Sequence, residues 1–493
     1  MPLWSAYMTE HFDVLIAGAG ISGIGSAYHL KQQCSGKSFV VLEALESFGG
    51  TWLMHTYPGV RSDSDLHTFG YRFKPWIGPP IATAAEILDY MGDVIKENDL
   101  APHIRYRHKI ISASFSRTTN LWTVEAELGD AGERRVFTCN FLWMCQGYYE
   151  HARGYTPDWP GMEDYKGELV HPQTWPKDID LKDKSVLVIG SGATTATVVP
   201  AIASACKHVT VLQRSPTYFI PGRNINELVE MLRTIGVDEM TVHDIARKKI
   251  LYDQDKFTHR AFDEPETVKE ELLSGVRLFL GPDYDMTHFT PRYRPWRQRI
   301  AFVPDGDLFQ GIAAGKATMV TDEIDRFTKA GVLLKSGREL EADVIVTATG
   351  FNLSVLGGIA FTVDGGPVNF ADTVTYRGMM FTGVPNMVWV FGYFRASWTL
   401  RVDLMGDFVC RLLKFMDEKG VHRVEAVIPE SQLNMKRLPW IDPENFNPGY
   451  LMRRMDLLPK RGESYEWQHT QDYWREKEEL PAIDLAAPVF KYG

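Results

Sequence analysis

Three runs in the chain are almost uninterruptedly apolar, rich in β-branched residues, and closed by glycine: Phe12–Gly20 (FDVLIAGAG), Ser185–Gly192 (SVLVIGSG) and Asp343–Gly350 (DVIVTATG). Short apolar runs bounded by turn residues read as strands buried on both faces. Behind the first, Ser22 opens a helical pattern to about Gln33, and Ser38–Glu43 (SFVVLE) supplies another strand. Behind the second, Ala193–Cys206 is helix-like and Val209–Arg214 (VTVLQR) is strand-like; Pro200 is expected to kink that helix or end it early. Asn226 to about Phe289 is charge-rich with helical period (ELVEMLRTI, ETVKEELL), which predicts a helical insertion capping a pocket. Farther on, Met387–Tyr393 (MVWVFGY) is strand-like. Val402, Met405, Phe408, Val409, Leu412, Leu413 and Met416 then recur at helical spacing, as a core-facing stripe does.

Strand, glycine turn, helix and strand, used twice, predict an α/β fold class: two Rossmann-like dinucleotide-binding domains with a helical insertion. The first turn, Gly18-Ala19-Gly20-Ile21-Ser22-Gly23, is a complete GxGxxG in its strand–turn–helix context. Gly18 permits the tight turn, Gly20 lets a pyrophosphate approach the backbone, and Gly23 lets helix and strand pack closely. The helix N-terminus offers free N–H groups and positive potential. Glu43 follows Gly23 by twenty residues, at the end of the second strand, where a carboxylate accepts ribose hydroxyls and repels a 2′-phosphate. FAD or NAD suits that site and NADP does not. The second turn, Gly190-Ser191-Gly192-Ala193-Thr194-Thr195, has threonine in place of the third glycine, and a threonine there needs more room. Its second strand ends in Gln213-Arg214-Ser215, and an arginine beside a hydroxyl selects NADPH over NADH. One acid-ended and one arginine-ended site imply an enzyme that keeps FAD and exchanges NADPH, with electrons passing from nicotinamide to flavin.

Composition narrows this picture modestly. With 493 residues, 44% hydrophobic and 24% charged, the chain has the make-up of a globular protein of two or three domains. The net charge of -10 argues against nucleic acid or an anionic membrane as the main partner. Five cysteines without a CxxC pair fit a reducing cytoplasm and leave no redox-active dithiol. The opening MPLWSAYMTE has no signal-peptide pattern, and no apolar run is long enough to span a bilayer. A cytoplasmic protein with no transmembrane segment is expected.

Tyr165, Gly167, His171, Trp175 and Pro176, in YKGELVHPQTWP, resemble the signature [FY]xGxxxHxxxWP of Baeyer–Villiger monooxygenases. Gly49–Asp63 (GGTWLMHTYPGVRSD) resembles the second signature of that family, at Gly50, Trp52, Tyr57, Pro58, Gly59 and Asp63. The resemblance runs from about His11 into the C-terminal region. Its segments RSDSDLHTFGYRFKPW, SGATTAT, LQRSPTY and GDLF are most similar to the ethionamide-activating branch.

The resemblance implies a flavoprotein monooxygenase that holds FAD tightly. NADPH reduces the FAD, O2 adds at flavin C4a, and the peroxide attacks a ketone to give an ester or lactone; sulfides are oxidised too. Arg299, in YRPWRQR, would hold the peroxide as an anion, although Arg292, Arg294 and Arg297 crowd the same stretch. Asp63 would orient Arg299, and Asp65 is an alternative by proximity. Arg61 and Ser62 resemble positions that meet NADP, and Thr51 and Trp52 resemble flavin-contacting ones. Gly50 and Ile110 complete the cofactor-binding set with Gly18, Gly20, Ser22, Gly23 and Glu43. Gly190, Ser191, Gly192, Ala193, Thr194, Thr195, Arg214 and Ser215 form the NADPH set, and no metal site is expected. His171 is implied to be an interdomain hydrogen-bonding residue, in a joint stiffened by Trp175-Pro176.

The expected division is FAD-binding domain 1–150 and 352–493, NADPH-binding domain 151–216 and 300–351, and helical insertion 217–299. The small-molecule substrate is a ketone or sulfide, and no nucleic acid is expected. Two alternatives are a flavin monooxygenase acting mainly on sulfur or nitrogen, and a flavin redox sensor or NADPH oxidase.

Overall fold

The computed structural model describes residues 9–493. Its first sheet begins with β1 (Glu10–Ala17), which leads through a turn into helix α1 (Ile21–Gln33) and then β2 (Phe39–Leu42). The two strands are parallel and pair Val14 with Phe39 and Ala17 with Leu42. They therefore end level, and Gly18 and Glu43 stand side by side although far apart in sequence. β3 (Ile104–Arg105) extends the sheet beyond β2. A meander of β4 (His108–Ser116), β5 (Leu121–Leu128) and β6 (Glu133–Met144) follows, which the sequence reading leaves unassigned. β6 is antiparallel to β5 along its first half and parallel to β1 along its second. Strands Ala360–Val363 and Met387–Trp389 join the same sheet from the far end of the chain.

Alternate residues of β1 feed opposite cores, as the two-residue period of a strand dictates. Val14 and Ile16 pack with α1, while Leu15 and Ala17 pack with Trp122 and Trp389. The expected C-terminal helical stripe, from Val402 to Met416, is buried in the first of these cores.

The second sheet is wholly parallel. Its strands are β7 (Glu168–Val170), β8 (Ser185–Ile189), β9 (His208–Gln213), β10 (Ala317–Thr321) and β11 (Val344–Thr347), in the spatial order β10-β9-β8-β11-β7. Helix α2 (Ala193–Ile202) follows β8. It ends four residues short of the expected Cys206, with Pro200 in its last turn. The connection from β8 runs to β9 on one side, while β11, which follows β10 in the chain, lies on its other side, so a crevice opens at its carboxyl end. Charge-rich Asn226–Phe289 forms helices α3 (Glu227–Thr234), α4 (Glu239–Asp263) and α5 (Pro265–Leu280), the first two capped by Asn226 and Asp238 side chains. Helix α6 (Asp307–Ala313) precedes β10. Helix α7 (Trp398–Lys419) packs on α1, and the short α8 (Gly449–Met452) lies in the C-terminal segment. No described helix is long and apolar enough to cross a membrane.

Candidate active site

Both glycine turns lie where parallel strands end, and each is built to leave its helix N-terminus open. Helix α1 starts after Gly20 and α2 after Gly192, with neither a side-chain cap nor an acidic residue in the first turn. First-turn N–H groups without protein acceptors are suited to phosphate.

Gly23 meets its expected role: a Cβ there would stand 1.8 Å from the Gly18 carbonyl oxygen. In the second unit, Thr195 occupies the corresponding place. Its hydroxyl is buried without a partner. Glu43 is buried, and its carboxylate accepts the Ala19 N–H at 2.6 Å and the Leu45 N–H at 2.8 Å. Burial raises its pKa above the ordinary carboxylate range, against the pull of those N–H groups. It braces the turn from inside, and its remaining lone pairs suit ribose hydroxyls.

Gly50 approaches Gly20 closely, and Thr51 and Trp52 follow it in the helical turn Thr51–Met54. Trp52 packs edge-on against Phe69, and Ser22 accepts a 2.7 Å hydrogen bond from the Trp398 indole. Ile110 lies on β4 opposite Ala126, half-buried against the second core. At the other turn, the Ser191 hydroxyl bonds the Ser215 carbonyl oxygen and Thr217, while Arg214 and Ser215 are exposed at the end of β9.

Between the two units stands a bidentate ion pair. Arg299 Nε donates to Asp63 Oδ2 at 2.6 Å and Nη2 to Oδ1 at 2.8 Å. Nη2 also reaches Ser64 Oγ at 3.3 Å, and Nη1 reaches the Phe394 carbonyl oxygen at 3.4 Å. One Nη1 hydrogen remains uncommitted. Burial alone would lower the Arg299 pKa, but the Asp63 charge and hydrogen bonds overcome it, and the net shift is upward.

The other crowded arginines face elsewhere. Arg294 bonds the Asn445 carbonyl oxygen, Arg297 pairs with Glu444, and Arg292 is exposed. Asp65 caps the turn Leu66–Phe69 and bonds His67, so Asp63 is the carboxylate that meets Arg299.

Arg61 and Ser62 both bond protein partners. Arg61 donates to Asp307 at 2.6 and 3.2 Å and to the Ala196 carbonyl oxygen at 3.1 Å. Proline explains the last bond: Pro200 has no N–H to give Ala196 four residues back, so Arg61 supplies the missing donor. Ser62 is 4% exposed, and its main chain and hydroxyl are bonded to Ala82.

His171 Nδ1 accepts the Gln173 N–H, which leaves Nε2 as the donor to the Gly350 carbonyl oxygen at 3.0 Å. Burial lowers its pKa, partly offset by main-chain hydrogen bonds. The ring ties the end of β7 to the end of β11.

Three tyrosines beside Arg299 escape the sequence reading. Tyr148, Tyr149 and Tyr450 all feel its charge, and the Tyr148 and Tyr149 hydroxyls are 3.1 Å apart. Tyr148 stacks on Trp398 and touches Phe391, and Tyr149 packs against Phe351. Burial raises all three phenol pKa values. Only the position of Tyr148-Tyr149, just past the carboxyl end of β6, hints at such a role.

Known proteins agree with this architecture. Residues 78–233 match the flavin-binding monooxygenase-like family and residues 16–76 an NAD(P)-binding Rossmann-like domain. The FAD-containing monooxygenase EthA of Mycobacterium tuberculosis is 45% identical over 473 residues, covering 95% of each chain. An oxidized steroid monooxygenase bound to NADP superposes with TM-score 0.76 at 21% identity, covering 98% of this chain and 99% of the other. Cyclohexanone monooxygenase bound to ε-caprolactone superposes with TM-score 0.74 at 20% identity, covering 98% and 100%. At those identities the structural likeness shows the fold.

Proposed function

Because the chain belongs to the family of FAD-containing monooxygenases, we propose that it inserts one oxygen atom of O2 beside a ketone carbonyl, using NADPH, and that the same site oxidises sulfides. The carrying observation is the Arg299–Asp63 pair, set between two open glycine turns and ringed by aromatic side chains. Likeness in fold to a cyclohexanone monooxygenase and to a steroid monooxygenase supports the ketone reading. The first unit is assigned to FAD through Gly18, Gly20, Ser22, Gly23, Glu43, Gly50, Thr51, Trp52 and Ile110. The second is assigned to NADPH through Gly190–Thr195, Arg214 and Ser215. Domain limits of 1–150 with 352–493, 151–216 with 300–351, and 217–299 follow from that assignment. Five cysteines, all free and buried, support a cytoplasmic location.

Held by the Gly18–Gly23 turn and Glu43, FAD would supply two-electron exchange with NADPH and with O2, the source of the inserted oxygen atom. The side chains manage charge and water. Arg299 stays protonated at any working pH and offers a fixed cation to an anionic oxygen, so no proton is consumed in stabilising it. Asp63 holds the guanidinium plane through two short bonds and keeps it from swinging toward solvent. Tyr148, Tyr149 and Tyr450 keep their protons and act as neutral donors to a substrate oxygen. Phe351, Phe391 and Trp398 exclude water from the reacting atoms.

Incubation with NADPH, isotopically labelled O2, a cyclic ketone and a thioether tests the proposal. A lactone carrying one labelled oxygen supports it. Sulfoxide without lactone favours a second reading, oxidation at sulfur or nitrogen, for which the three phenols offer the proton that such an oxidant needs. NADPH consumption that yields only H2O2 would favour an oxidase.

A further inference from the structure

Two arginines at the mouth of the second unit make no ion pair among the described residues. Arg214 ends β9 and is exposed. Arg453, which follows α8 near the end of the chain, lies across the carboxyl end of β11. Its Cζ is 3.5 Å from the centroid of the Tyr155 ring, and Nη2 is 3.4 Å from the Phe351 carbonyl oxygen. Nη2 is also 3.7 Å from where a Cβ on Gly350 would stand. Tyr155 is itself tied there, its N–H donating to the Gly350 carbonyl oxygen.

Burial and the nearby Arg214 charge both work against the charged form of Arg453, with Tyr155 opposing them. Glu323, the carboxylate that feels the Arg214 charge, is held by Lys335. Neither Arg214 nor Arg453 makes an ion pair among the described residues. Two like charges facing one crevice, neither of them ion-paired among the described residues, raise the energy of the protein alone. A multiply charged anion between them reverses the sign of that energy.

We propose that Arg453 binds a phosphate group of NADPH across the crevice from Arg214. The nucleotide thereby holds the C-terminal turn that carries Tyr450 against the oxygenation site. This rests on the reading of the second unit as the NADPH site. Tyr450 and Arg453 are three residues apart, so one turn of α8 presents a phenol to Arg299 and a guanidinium to the nucleotide.

NADP+ and NAD+ titrated onto the oxidised, FAD-loaded enzyme test this, with flavin spectral change or heat as the signal. Arg453→Ala should weaken NADP+ about 10- to 100-fold, as loss of a charged hydrogen bond does, with flavin content and melting temperature unchanged. Arg453→Lys should recover much of the affinity. A loss confined to NADP+ assigns the contact to the 2′-phosphate, and an equal loss for NAD+ assigns it to the pyrophosphate; either supports the proposal. NADP+ should also protect the 440–460 segment from proteolysis in the wild type but not in Arg453→Ala. Undiminished NADP+ affinity in Arg453→Ala, alongside weakened binding in Arg214→Ala, would overturn the proposal and leave the NADPH site standing. A wild-type enzyme that never binds NADP+ overturns both.

Discussion

Gly23→Ala should cost the protein its flavin. The added methyl would stand 1.8 Å from the Gly18 carbonyl oxygen, where ordinary contact begins near 3.4 Å. Helix and turn must therefore separate by about 1.6 Å. The obstacle is backbone, so no side-chain rotation relieves it. The first-turn N–H groups ride on that helix, and a phosphate bond of about 2.9 Å stretched by this much leaves hydrogen-bonding range altogether. Each charged hydrogen bond lost removes about 1.5–3 kcal/mol, so two such losses reduce flavin affinity by at least about a hundredfold. Flavin per polypeptide, read from absorbance after gel filtration, measures the effect, and Thr195→Gly in the second turn should leave it unchanged. A Gly23→Ala protein with a full complement of flavin and wild-type melting would refute the close-packing argument.

Arg214→Ala should cut the preference for NADPH over NADH about tenfold or more, by loss of a charge-assisted contact to the 2′-phosphate; equal losses in KM for the two would contradict that role. Asp307→Ala should destabilise the fold by about 1–3 kcal/mol in denaturant titration, because Arg61 is left largely buried without its carboxylate. Flavin content should not change, and undiminished stability would show the clasp to be idle. Buried His243 and His469 have pKa values pushed down by burial to about 4 and about 3. The unfolded chain then binds more protons than the fold, so stability is full above about pH 6.5 and falls as pH drops toward 4. Melting temperatures flat from pH 6.5 to 5 would count against this.

The two glycine turns were legible because their spacing answers a backbone requirement that no other residue meets. Glu43 was legible too, since parallel pairing of β1 and β2 brings the end of the second strand to the turn. The choice of Arg299 among four neighbouring arginines draws support only from partners about 150 residues away, Asn445 and Glu444, which occupy Arg294 and Arg297. Long-range partners leave no local pattern. The same limit hid the Tyr148, Tyr149 and Tyr450 cluster, because an aromatic residue reads alike whether it fills a core or lines a pocket. Ser62 shows the converse: its place in a signature suggested a nucleotide contact, and pairing with Ala82 buried it. Pro200 was expected to kink its helix or end it early, and α2 does stop at Ile202, short of Cys206, while Arg61 answers the carbonyl oxygen that proline leaves unpaired.

The account turns on a fixed positive charge at Arg299 being needed for oxygen transfer and dispensable for hydride transfer. The direct measurement pairs the anaerobic rate of flavin reduction by NADPH with the yield of oxygenated product per NADPH, in wild type and Arg299→Ala. Reduction within a few-fold of wild type, with product lost and H2O2 in its place, is the expected result. Product per NADPH equal to wild type would contradict it.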